Sequence, residues 1–391
     1  MKIHTLIEDS ITLAEFCGRI ASAPYIAVDT EFMRESTYWP DLCLIQVASP
    51  DEAAAIDPKA PDMDLSPLLE LLVRNEDVLK VFHAGGQDLE IVHNLTGTTP
   101  YPLFDTQIAA MALGMGEQIG YSNLVETMLK VKLDKGARFT DWSRRPLDQR
   151  QIDYAIADVT YLIKLFPRML ERLRSTGRGA WLDQEMERLG DPTGYLNVPD
   201  LAWLRIKSPS RKADVLGRLK ALAAWREREA QSKDIPRGRI VKDETLADIA
   251  AHPPHKQADL ARVRGLSTSW GHNDIGQRLM TAIAQAKPLP DSELPPREDR
   301  KPGLGKEGAL IADLLKLLLK VRAREADVAA RLIARSEELE ALAAGQREAL
   351  QLLTGWRYDV FGKDALALVE GRLGFSVKNG RMVMSQVSSD D

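Results

Sequence analysis

A chain of 391 residues is too long for one ordinary core and predicts two or three domains, each burying its own apolar interior. With 44% apolar and 28% charged residues it is neither disordered nor fibrous, and its two cysteines, Cys17 and Cys43, exclude a disulfide framework or a cysteine-based zinc site. A net charge of −5 gives no basic signature to the chain as a whole, so any phosphate-binding surface has to be local.

The N-terminus, MKIHTLIEDS, carries acids and no apolar signal-peptide core, which together with the scarce cysteines predicts a protein that stays in the reducing cytoplasm. Short β-rich runs follow at 26–28, 42–48, 53–56 and 78–83, with helical patterns between and after them. This predicts an α/β unit built on a central sheet. Within it AVDTEF ends an apolar strand, and residues two apart in a strand face the same way, so Asp29 and Glu31 converge. Two converging carboxylates repel and are costly unless a cation lies between them.

In HAGGQDLEIVHNL a strand ends at His83, Gly85 and Gly86 turn the chain, and Asp88 falls in the first turn of the next helix. An acid there also suits the helix dipole, so a plain capping role is open. His83 and His93 read as packed or surface residues, because nothing at metal-ligand spacing accompanies them. FDTQIAAMALG places Asp105 as a helix cap. In QIDYAIADVTYL, Tyr154 and Asp158 are four apart and share a helix face, whereas Asp153 points elsewhere and Tyr161 reads as a packed aromatic.

From about residue 182 helical periodicity dominates, broken by turn-rich stretches at 190–199 and 208–210, and the second half is expected to be all-helical. Between Arg211 and Lys242 ten Lys or Arg stand against four acids, an excess of six that is either a solvated face or a phosphate-binding one. The Pro- and charge-rich run from Lys287 to Lys306 reads as a linker between two helical units of similar size. The most apolar stretch, 310–319, is interrupted by Asp313 and Lys316 and falls short of the roughly 20 residues a membrane span needs, so it reads as a core helix.

The order strand DxE, helix Asp, helix YxxxD resembles the DEDD exonuclease superfamily in its tyrosine subtype. The stretch KGARFTDWSRRPLDQRQIDYAIADVTYL is similar to the ribonuclease D family in particular. The resemblance implies a ribonuclease H-like α/β exonuclease domain with a mixed central sheet, followed by all-helical HRDC domains. It makes Asp29, Glu31, Asp88 and Asp158 the metal-binding acids and Tyr154 the residue that orients the attacking water. A tyrosine, with a reference pKa near 10, suits positioning better than general-base work. Gln46 in LCLIQVA is a further family-like position without a derived role.

Four carboxylates can hold two Mg²⁺ or Mn²⁺ ions, which lower the pKa of water and stabilise charge on the phosphate. The implied activity is 3′→5′ exoribonuclease action on RNA, with tRNA precursors as the family's usual substrate; a two-metal site complete within one chain makes a monomer the expectation. The region from Leu216 to Leu266 resembles an HRDC domain, which implies that the basic excess contacts phosphate. The expected division is 1–205 exonuclease domain, 211–288 HRDC domain, 289–306 linker and 307–385 second HRDC-like domain. A DNA-directed exonuclease and a non-catalytic RNA-binding scaffold are the rival readings.

Overall fold

The structure is a computed structural model that describes residues 1–4, 6–134, 136–137, 140–208, 210–294 and 305–387. In chain order the first unit comprises β1 (Lys2–Ile3), α1 (Ser10–Ile20), β2 (Tyr25–Met33), β3 (Asp41–Ala48), β4 (Glu52–Ile56), α2 (Ser66–Val73), β5 (Leu79–Phe82) and α3 (Gly86–Thr96). It continues through β6 (Leu103–Asp105), α4 (Thr106–Ala112), α5 (Tyr121–Leu129), α6 (Gln149–Ser175) and α7 (Asp183–Gly190).

The sheet order is β1-β4-β3-β2-β5-β6. β3 pairs antiparallel with both β2 and β4, while β5 runs parallel to β2 and β6, and β1 parallel to β4. β2 therefore sits centrally, and the carboxyl ends of β2 and β5 reach the same edge, where sites in such sheets form.

The two faces of the sheet are packed differently. Ile26, Val28, Ile45 and Val47 pack with Leu13, Phe16, Leu68 and Leu89 from α1, α2 and α3. The other face offers Ala27, Ala48 and Ala53 to Val159, Leu162 and Phe166, so the small strand residues let α6 lie close. α6 starts at a capping box in which Asp148 and Gln151 satisfy each other's backbone amides.

The second unit contains α8 (Ala213–Lys233), α9 (Arg237–Ile240), α10 (Asp243–Ala251) and α11 (Asp274–Gln285). Part of the expected linker belongs to it. Leu289 is buried and its amide donates to the Ala213 carbonyl at 2.8 Å. The approach requires Gly217, where a Cβ would lie 1.9 Å from the Lys287 carbonyl oxygen. Residues 295–304 of that run lie outside the described residues.

The third unit contains α12 (Lys306–Glu325), α13 (Ala330–Ile333), α14 (Ser336–Ala343), α15 (Gly355–Arg357), α16 (Lys363–Val369) and the strands β7 (Leu373–Lys378) and β8 (Arg381–Gln386). The expectation of an all-helical second half is corrected by this antiparallel hairpin.

The two C-terminal units repeat one local plan. α8 and α12 begin at Ala213 and Lys306, 93 positions apart, and the same offset separates α9 from α13 and α10 from α14. Each long helix is followed by an aspartate in the left-handed region, Asp234 (φ 48) and Asp327 (φ 49). Among the described residues the third unit has no separate core: Leu315, Leu318, Val328, Leu339 and Phe361 share one cluster with Ala109, Leu124, Leu165 and Met169 of the first.

Candidate active site

The strand, helix and loop positions singled out above meet at one cavity of about 420 Å³, whose lining includes Asp29, Glu31, Asp88, Tyr154 and Asp158. β2 supplies Asp29 and Glu31. Their cross-strand partners are Gln46 and Leu44, and the register slips between Glu31 and Phe32, a bulge of the kind that re-aims side chains beside sites. α6 crosses the same face and supplies Tyr154 and, one turn on, Asp158. One oxygen from each of Asp29, Glu31 and Asp158 lies within 4.8 Å of the others.

Asp88 comes from the other layer. It stands in the first turn of α3 with 8% of its surface exposed and accepts a short hydrogen bond from the Thr30 hydroxyl. Thr30, between the two β2 acids, faces the α3 side, so alternation along one strand joins the two layers. Asp105 caps α4 through the Gln107 and Ile108 amides at 2.7 and 3.2 Å and also accepts from the Gly85 amide at 2.8 Å. It braces the turn that launches the Asp88 helix. Asp153 points to the surface and accepts from Gln149 at 2.8 Å.

The electrostatics follow from crowding. Burial, then the charges of Asp88, Asp158 and Glu31, hold the Asp29 carboxyl well above the usual carboxylate range. Burial pushes Asp88 up to about 7; the Thr30 bond works against this and the charge of Asp105 adds to it. A cavity edged by oxygen donors that cannot all be ionised together fits a hard divalent cation, and Mg²⁺ or Mn²⁺ suits this donor set.

Several residues of the site have no local sequence signal. His83, expected to be a packed or surface residue and not a ligand, lines the cavity, held by Thr106 at 3.0 Å. Burial, partly offset by the charge of Asp105, lowers its pKa. Tyr121, at the start of α5, donates to the Asp158 carbonyl and so braces α6 at the acid. The DW..RPL stretch is a strut: Arg145 bonds both Asp57 oxygens at 2.6 and 2.7 Å and the Cys43 carbonyl at 2.6 Å. Trp142, held by that strut, lies against Tyr154 with ring centroids 6.2 Å apart.

The basic run of the second unit is largely spoken for. Arg226 is buried on the Val241 carbonyl and Asp243; Arg218, Lys220, Arg228, Lys233 and Arg237 pair with Asp214, Glu293, Asp200, Glu229 and Glu227; Arg239 bonds the Glu35 carbonyl. At least seven of the ten cations therefore hold structure, and the count of six spare charges overstates what the surface offers to phosphate.

The family model described as 3′-5′ exonuclease matches residues 4–174, and the HRDC domain model matches residues 215–283. Ribonuclease D of Sphingobium indicum is 72% identical over 386 residues, covering 99% of this chain and 100% of that protein. Ribonuclease D of Zymomonas mobilis is 67% identical over 390 residues, with 100% of both chains covered. The crystal structure of Escherichia coli RNase D, described as an exoribonuclease involved in structured RNA processing, superposes with a TM-score of 0.77 at 30% identity, covering 95% of this chain and 99% of that one.

The sheet with its acid-lined edge and the trailing helical units thus define a 3′-5′ exonuclease, a class that depends on divalent metal. The chain belongs to the ribonuclease D family, and is a 3′-5′ exoribonuclease.

Proposed function

We propose that the chain releases 5′-mononucleotides from the 3′ ends of tRNA precursors and other structured RNAs by two-metal-ion hydrolysis. The gathering of Asp29, Glu31 and Asp158 within 4.8 Å carries this reading. These three acids would hold one Mg²⁺ or Mn²⁺, and Asp29 with Asp88 a second, since Asp88 sits across the same cavity and its charge bears on Asp29. Bound there, the ions supply Lewis-acid chemistry: acidified water and neutralised charge on the phosphate.

The protein's own residues do the rest. Tyr154 orients the attacking water from one turn before Asp158. Water oxygen bonds to phosphorus, the bond from phosphorus to the 3′ oxygen breaks, and the proton lost by water ends on that leaving oxygen. The shortened RNA keeps a 3′-hydroxyl and the nucleotide leaves with its 5′-phosphate.

Residues 1–205 form the catalytic unit in this reading. Residues 211–288 form the HRDC domain that holds RNA backbone, 289–306 the connection, whose first residue Leu289 packs on that domain, and 307–385 a second HRDC-like unit, supported by the 93-residue offset of its helices. Two free, buried cysteines suit a cytoplasmic protein, and a site complete within one chain suits a monomer.

Incubation with a 3′-extended tRNA and with single-stranded DNA, each in Mg²⁺ or EDTA, tests the proposal. The expected result is mononucleotide release from RNA, abolished by EDTA and by Asp29→Asn. Release from DNA alone would make it a DNA exonuclease, and inactivity on both a scaffold.

A further inference from the structure

Gln46 sits on β3 directly across the ladder from Asp29. Cross-strand partners share a face with Cβ atoms roughly 4.5–5.5 Å apart, so the Gln46 side chain stands beside the Asp29 carboxyl, beneath α6. It is fully buried, at 0% exposure, and neither its Nε2 nor its Oε1 finds a hydrogen-bond partner among the described residues. An orphaned buried amide costs about 1–3 kcal/mol, and an apolar side chain of the same shape would avoid that. The neighbours on this face are apolar or small: Leu44 and Ala55 belong to the cluster around Trp142 and Ala155. Of the two residues paired with Gln46 across the ladder, Asp29 and Ala55, the polar one is Asp29.

We infer that Gln46 is a positioning residue for the metal site, its carboxamide donating to the Asp29 carboxylate oxygen turned away from the cation. The terminal torsions of Gln and Asp are broad, so a small rotation of either makes the bond. The bond fixes the carboxylate's orientation and lets one oxygen bind metal while the other is satisfied, as ligating carboxylates are in general. The inference rests on the metal-ion reading above.

The test is Mn²⁺ binding by the full-length protein, followed by electron paramagnetic resonance without RNA, for wild type, Gln46→Met and Gln46→Leu, with melting in EDTA measured in parallel. Both variants are expected to bind Mn²⁺ about tenfold or more weakly, and to melt at or above the wild-type temperature because an unpaired buried amide is gone. Unchanged Mn²⁺ affinity overturns the inference, as does a lower melting temperature or lost folding in both variants, which would make the amide a packing element. A wild type that binds no Mn²⁺ would instead remove the metal-ion reading itself.

Discussion

At the scale of single residues, Asp29 and Asp88 carry a cost that folding alone does not repay. Both titrate higher in the folded chain than in the unfolded one. Between the ordinary carboxylate pKa of about 4 and the value of about 7 at Asp88, the folded chain keeps protons that the unfolded chain has released, so stability falls as pH rises through that window. The melting temperature in EDTA is expected to drop from about pH 5 to about pH 8, to drop less in Asp88→Asn, and to hold steady with saturating Mg²⁺. A melting temperature that climbs over the same range in EDTA would contradict the assignment.

Tyr154→Phe tests positioning: kcat should fall about 10²-fold with Mn²⁺ binding unchanged. Asp29 with Glu31 and Tyr154 with Asp158 were legible because strand and helix periodicities put each pair on a shared face, and Asp88 because the order of the five matched a known pattern. Thr30, His83 and Tyr121 were not, since each acts through a contact made only when layers meet.

At the scale of elements, the loop leaving β2 is clamped from two sides. Arg34 makes two 2.7 Å bonds to Glu90 of α3, two positions from Asp88. Farther along, the amides of Tyr38 and Trp39 both donate to Asp234 at 3.0 Å, and the Tyr38 hydroxyl to the buried Glu227. The HRDC unit thereby grips the loop that follows Glu31. Asp234→Ala is expected to lower kcat roughly tenfold, short of the ~10²-fold penalty of a 1 Å misplacement, with a smaller change in KM for RNA. A larger change in KM than in kcat would contradict a clamp that acts by holding the loop after Glu31.

The helical character of the second half is readable from 3.6-residue periodicity, but the hairpin is not, although its turn is Asn379–Gly380 with φ of 51° and 70°. Such a pair strongly favours a two-residue hairpin turn. The helical expectation for the segment hid it.

Across the whole molecule, both trailing units use the same corner to dock on the catalytic unit. In one, Asp234 takes the Tyr38 and Trp39 amides; in the other, the carbonyls of Ala326 and Asp327 accept from Arg178, and the Ala329 amide donates to the Met111 carbonyl at 2.9 Å. The corners follow equivalent helices, so one mode of attachment serves two sites. Buried Arg357 adds an ion pair to Glu185 at 3.0 Å. Arg357→Leu should cost about 3 kcal/mol, the low end for breaking a buried pair, because Arg188 still contacts Glu185; chemical denaturation measures it.

A chain ending at Leu294 would bare Ala109, Leu124 and Leu165 to water. Light scattering should show it associating, whereas a well-behaved monomer would mean that the shared core is dispensable. Sequence periodicity identified the third unit's core helix but not its docking, because an apolar stripe does not say which neighbour it meets.

That junction also carries two indole rings, Trp181 and Trp356, stacked with centroids 4.1 Å and planes 4° apart, one on each side of the seam. Chromophores this close share their excited states, and the seam therefore has its own optical signature in circular dichroism. Detachment of the C-terminal part, by denaturant or by a bulky substrate, would extinguish that signal before secondary structure is lost, giving a label-free gauge of whether the enzyme works closed or ajar.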